Sequence, residues 1–185
     1  MFVIRFALLS SLFYALNVSM IPLIYTLEVS VFLFLFIRFG TTFFTSLVIT
    51  KSLFSISKIK QQKLGLWLLI LSLLFGIQSW LYVEAVKYMS VGLASVVLFT
   101  YPLITYLIVS LNSRRKLDVS TILMFLLAII GIAAISQSED GFYTMAIGIV
   151  LAILSAISYS LILIITPKMS ALKNWEIVKY TTLIP

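Results

Sequence analysis

Arg38 is the residue whose chemistry asks first for an account. It lies about ten residues into the apolar run VFLFLFIRFGTTFFTSLVIT, where an arginine in lipid costs about 2.5–3.5 kcal/mol or more. Thr41, Thr42 and Thr45 follow at i+3, i+4 and i+7, so on a helix a polar stripe shares its face. Such a stripe can line a solute or ion site. Equally, the guanidinium can be structural, bonded to helix carbonyls or to Glu84. Glu84 lies about 20 residues into a later apolar run, with Lys87 at i+3. That spacing makes the two neighbours on a helix. They form either an interfacial ion pair or a titrating carboxylate at the outer mouth of a path. Gln78 in the same run offers an amide, whereas Trp80 and Tyr82 read as interfacial belt residues.

Other polar side chains fall at helical spacing. Ser10, Tyr14 and Asn17 share a face, and Ser155 and Tyr159 repeat part of it. They can wall a cavity or bond between helices, a contact worth about 0.6 kcal/mol on average. Ser72, Gly76 and Ser79 form a small-residue seam suited to packing. Gly92, Ser95, Phe99, Pro102 and Tyr106 share one further face, with Tyr101 beside it. Pro102 cannot donate to the carbonyl of Leu98, which in lipid must find another partner or face a wet cavity.

The elements that must position these groups are transmembrane helices. Of 185 residues, 62% are hydrophobic and 10% charged, against about 45–50% and about 25% in soluble domains. Apolar segments are expected at about 3–22 (ended by Pro22), 29–50, 64–88, 91–111, 119–136 and 142–165. A seventh run, from Trp175 to Pro185, is too short to span at about 1.5 Å per residue. Each link between spans is short and polar. The early Arg5 and apolar core hint at a signal peptide, but no small-residue cleavage site follows and the rest of the chain is polytopic. The expected class is therefore an all-α integral membrane protein with about six transmembrane helices and a partial seventh.

Charge orients the chain. If the spans alternate, Arg5, Lys51, Lys58, Lys60, Lys63, Arg114, Arg115, Lys116, Lys168, Lys173 and Lys179 fall on one side. Glu28, Glu84, Glu139 and Asp140 fall on the other with only Lys87. The positive-inside rule then places the N-terminus in the cytoplasm of a cell membrane. The net charge of +7 is spread over links rather than gathered on a soluble face, which argues against nucleic acid. With no Cys and no His, thiolate and imidazole chemistry are excluded. No G-x-x-x-x-G-K-S/T loop, TVGYG-like filter or protease-like arrangement occurs, so neither an enzyme nor a cofactor is expected.

An internal repeat sharpens this. ALLSSLFYALNVSMIP (7–22) aligns with AILSAISYSLILIITP (152–167) at an offset of 145, with Tyr14 over Tyr159 and Pro22 over Pro167 among six identities in 16 positions. Five helices separate the copies, so the second is inverted, as in many secondary transporters. Residues 1–140 then form one five-helix repeat, and 141–185 begin a second.

LGLWLLILSLLFGIQSWLYVEAVKYMSVGLASVVLFTYPLITYLI (64–108) resembles the third and fourth helices of the EamA-type branch of the drug/metabolite transporter superfamily. GIVLAILSAISYSLILIITPKM (148–169) looks like the start of that family's second repeat, and Arg38 falls where the family commonly has an arginine. Two departures stand out. Arg115 in NSRRKLD occupies the place of a usual glutamate, and only Gly131 of two usual fifth-helix glycines is present. The resemblance implies ten helices in two inverted repeats, with both termini cytoplasmic. It also implies transport of small metabolites, amino acids, nucleotide sugars or drugs, coupled to protons or by exchange.

The expected function is thus a secondary transporter of small solutes working by alternating access in the lipid bilayer. Tyr14, Asn17, Arg38, Thr41, Thr45, Gln78, Ser95, Tyr101, Pro102 and Tyr106 are its cavity candidates, and Glu84 is the outer-mouth or coupling candidate. Arg38 would contact anionic groups, and a proton or an exchanged solute would drive the cycle. Most of the second repeat is missing from the chain, so the contrasting expectation is a non-transporting membrane subunit or an inactive truncated product. A homodimer could in principle supply the other gate, although the sixth helix and the run after Trp175 would crowd that interface.

Overall fold

The computed structural model describes residues 11, 12, 14–50, 64–113, 119–136, 142–169, 172 and 174–183. Every described element is helical. Helix α1 covers residues 14–19. It is followed by α2 (Ile21–Thr26), α3 (Val31–Thr50), α4 (Gly65–Ala85), α5 (Val91–Leu98), α6 (Tyr101–Asn112), α7 (Val119–Ser136) and α8 (Phe142–Ile165). A 3-10 turn (Thr166–Met169) leads to α9 (Asn174–Leu183). Four stretches are long and apolar enough to cross a membrane: Val31–Val48, Gly65–Ala85, Val91–Asn112 and Met145–Met169. The links 51–63, 114–118 and 137–141, with most of the basic residues used for orientation, lie outside the described residues, as do Arg5 and Ser10.

Two expected boundaries move, both at a proline. Pro22 does not end the first helix. It sits in the first turn of α2, where its missing N–H is not needed, and helix continues to Thr26. The chain then closes with Val29 N–H donating to Ile24 O at 2.9 Å and Glu28 N–H to Tyr25 O at 3.4 Å. Glu28 takes φ 53°, the left-handed position that ends many helices and that glycine fills most cheaply. Pro102 likewise falls in the first turn of α6. The expected single helix over 91–111 is therefore two, α5 and α6, separated at Phe99 and Thr100.

Helix α4 is the axis of the fold. It lies antiparallel to α8, as three levels of contact show. At its C-terminal end, a Cβ added to Gly148 would sit 3.1–3.2 Å from Met89 Cγ, the Ala85 carbonyl oxygen and Tyr88 Cβ. At mid-length, Ser155 Oγ donates to Gln78 O at 2.9 Å, and Gln78 Nε2 donates back to Ser155 Oγ at 3.3 Å. Towards its N-terminus, Leu68 and Leu71 share a buried cluster with Ile162, Met169 and Ile177. Helices α5 and α6 run along α8, and α9 packs on α3 and α4. The α4–α5 turn is closed by Ser90, whose hydroxyl accepts from Leu93 N–H at 3.3 Å, an N-cap bond.

Helix α9 is too short to cross a bilayer, yet it is firmly seated. Tyr180 O accepts from Ser72 Oγ of α4 at 3.4 Å. Lys179, which charge counting places after the sixth span on the basic side of the membrane, is wholly buried. Its ammonium stands 5.6 Å from the Tyr180 ring centroid, a cation–π distance.

Gly148 is the close approach on which the α4–α8 pairing depends. Gly148→Leu should lower stability by about 1–3 kcal/mol, because a backbone carbonyl blocks the added side chain. Gly131→Ala, with open space at its Cβ, should hold or raise it. Thermal melts in detergent check this, and an undiminished Gly148→Leu melt would contradict the pairing.

Candidate functional site

The site is built on α3. Arg38 stands eight residues into that helix and lines a cavity of about 700 Å³, within the usual size range for small-molecule sites. Phe39 beside it is buried and also lines the cavity, as does Thr42 one turn on. Thr41 and Thr42 both donate to Arg38 O at 2.9 Å, and Thr45 donates to Thr41 O at 2.7 Å. The threonine stripe is thus satisfied by its own helix. Thr41 and Thr45 are exposed on the outer surface and are not among the lining residues.

Helix α4 supplies the facing wall through Phe75, Gln78, Ser79 and Tyr82, spaced i, i+3, i+4 and i+7. Gln78 is held by Ser155 and, through Oε1, accepts from Ser79 Oγ at 3.3 Å. The Tyr82 hydroxyl meets Ser95 Oγ at 2.8 Å. Ser95 spends its own proton on Val91 O at 2.8 Å, so Tyr82 is the donor. Ser95 therefore stands behind the wall and orients Tyr82, without lining the cavity itself.

Leu98, Phe99 and Tyr101 line the cavity, while Pro102 and Tyr106 are exposed. The expected face from Gly92 to Tyr106 is mostly an outward one, with Gly92, Phe99, Pro102 and Tyr106 exposed and, of the five, Phe99 alone among the described lining residues. Tyr101 packs edge-on against Tyr159 of α8, with centroids 4.6 Å apart. Its carbonyl accepts from Ser160 Oγ at 3.0 Å. Tyr14 of α1 closes another side, and Val178, Thr181 and Thr182 of α9 complete the wall.

The structure thus brings Tyr14, Arg38, Gln78 and Tyr101 to one cavity. Asn17 lies on the same helix as Tyr14 but is not a lining residue; its Oδ1 is buried and unbonded among the described residues. Glu84 sits apart at the end of α4, 3.7 Å from the Lys87 ammonium, with Tyr25 Oη bonded to the neighbouring Val83 O at 2.7 Å. Reading the sequence missed Tyr82, taken as a belt residue, and Phe39, Phe75, Thr181 and Thr182. The i+4 step from Gln78 to Tyr82 was the available signal.

Electrostatically the site is one-sided. None of the described lining residues is a carboxylate or an ammonium. Among the described residues the Arg38 guanidinium has neither an acidic partner nor a hydrogen bond, and its electrostatic neighbours are the phenols Tyr14 and Tyr82. A cavity of this kind, in a helical membrane protein, can receive a small solute.

Comparison with known proteins agrees with that general picture. No curated protein and no solved structure matches the chain. Residues 1–137 match the EamA-like transporter family. That match covers most of the chain, so this multi-pass membrane protein belongs to the EamA-like transporter family.

Proposed function

We propose that the chain is a secondary transporter of small metabolites or drugs in the cell membrane, with its N-terminus in the cytoplasm, working by alternating access. The observation that carries this reading is Arg38, a cation with no acidic partner among the described residues, on the wall of an approximately 700 Å³ cavity bounded by several membrane helices. A charge kept in such a place at an energetic cost is a functional group by default. The inverted-repeat arrangement, 1–140 and 141–185, is part of the proposal. It is supported by Tyr14 and Tyr159, which align at an offset of 145 and both line the cavity. Access would alternate by rocking of one repeat against the other.

For the driving force we favour exchange of solutes over proton coupling. A proton carrier in the cavity would need a group that titrates in the physiological range; the chain has no histidine, and among the described residues no carboxylate lines the cavity. Glu84 is outside the lining and engaged by Lys87.

Counterflow in proteoliposomes, using radiolabelled organic acids, amino acids and purines as separate probes, tests the reading. Arg38→Ala should slow counterflow of the accepted probe by about tenfold or more. Equal rates in wild type and Arg38→Ala would remove Arg38 from the mechanism. No counterflow of any probe by wild type would favour a non-transporting subunit or an inactive product.

Glu84→Gln should leave counterflow within about twofold, as expected for an exposed ion pair, and leave its pH dependence unchanged. Loss of a pH-driven component in Glu84→Gln would instead assign proton coupling to that carboxylate.

A further inference from the structure

We infer that the cavity selects organic monoanions that carry an aromatic ring, an inference that rests on the transport reading for its biological purpose but on the cavity wall for its chemistry. Charge is the first argument. Among the described residues that line the cavity, Arg38 is the sole ionised group, and among the described residues no carboxylate neutralises it. A monoanion supplies the missing countercharge. A cation would add like charge, and a dianion would leave one charge unmatched in a low-dielectric wall.

The second argument is the balance of donors and acceptors. Tyr14, Tyr101 and Tyr159 line the cavity, and their hydroxyls make no hydrogen bond among the described residues. Tyrosine hydroxyls in partly buried sites ordinarily find a partner, as Tyr82 does in Ser95. The Gln78 carbonyl oxygen, an acceptor an amine could use, already accepts from Ser79 and keeps one lone pair. The cavity therefore offers a guanidinium fork and phenols that are unbonded among the described residues, a donor set matched to the two oxygens of a carboxylate.

The third argument is shape and surface. Tyr101 and Tyr159 meet edge to face at 4.6 Å, and Phe39, Phe75 and Phe99 add ring surface to the same wall. Aromatic groups favour edge-to-face or offset contacts with a further ring. A single ring joined to a carboxylate by a short linker fits easily within about 700 Å³.

Binding to the full chain in lipid nanodiscs, measured calorimetrically, tests this with phenylacetate, cyclohexylacetate and phenethylamine. Phenylacetate should bind about threefold or more tighter than cyclohexylacetate and about tenfold or more tighter than phenethylamine. Arg38→Gln should weaken phenylacetate about tenfold, whereas Arg38→Lys should keep the preference for anion over cation. Tyr159→Leu should reduce the preference for the ring and keep the preference for the anion. Phenethylamine binding as tightly as phenylacetate, or unchanged phenylacetate affinity in Arg38→Gln, would overturn the inference. Arg38-dependent counterflow of cationic or neutral solutes alone would sink it while leaving the transport reading intact. Phenylacetate binding as expected without counterflow of any probe would uphold it and sink the transport reading.

Discussion

The antiparallel contact of α4 with α8 is the interaction on which the remaining structure depends. In lipid, association between helices draws on close packing and interhelical hydrogen bonds rather than on the hydrophobic effect. Both are present along this seam. Gly148 lets the α8 backbone approach the end of α4, and the reciprocal Gln78–Ser155 bonds lock its middle. The walls from α3, α5, α6 and α9 refer to this pair. Helices α5 and α6 lie along α8, while α3 and α9 lie along α4.

The seam also decides what kind of space remains. Gln78 spends its amide on α8, and Tyr82 spends its hydroxyl on Ser95, so the α4 wall is polar but committed. The free polar groups come from elsewhere: Arg38 on α3, Tyr14 on α1, Tyr101 on α6 and Tyr159 on α8. One cation and several phenols thus converge from separate helices. A movement of these helices relative to one another would disperse the group, which is how a carrier can hold a solute in one state and release it in another.

Much of this was legible in the sequence because lipid makes polar residues conspicuous. Arg38 stands alone in an apolar run, Gln78 interrupts another, and Tyr14 and Tyr159 coincide in the repeat. What was not legible has particular physical causes. Tyr82 has the composition of a belt residue, and only its partner Ser95 and its place on the Gln78 face reveal its role. Pro102 and Tyr106 share a face with Gly92 and Phe99 that is exposed along most of its length, and helical spacing shows which residues share a face but not which way that face points. Thr41 and Thr45 share the polar stripe with Thr42, yet a hydroxyl satisfied by its own helix carbonyl can face an apolar surroundings without large cost. The run from Trp175 was judged only by whether it could span. Its packing on α3 and α4, with Lys179 buried, is a tertiary feature that periodicity does not announce.

The central claim is that Arg38 faces an accessible cavity rather than lipid, and two adjacent threonines test it directly. The chain contains no cysteine, so a single introduced thiol reports cleanly. Thr42 lines the cavity beside Arg38, whereas Thr41 lies on the exposed outer face of the same turn. In reconstituted vesicles treated on both sides with a membrane-impermeant methanethiosulfonate, Thr42→Cys should be modified and Thr41→Cys should be spared. Modification of Thr41→Cys with protection of Thr42→Cys would turn α3 the other way round and contradict the account.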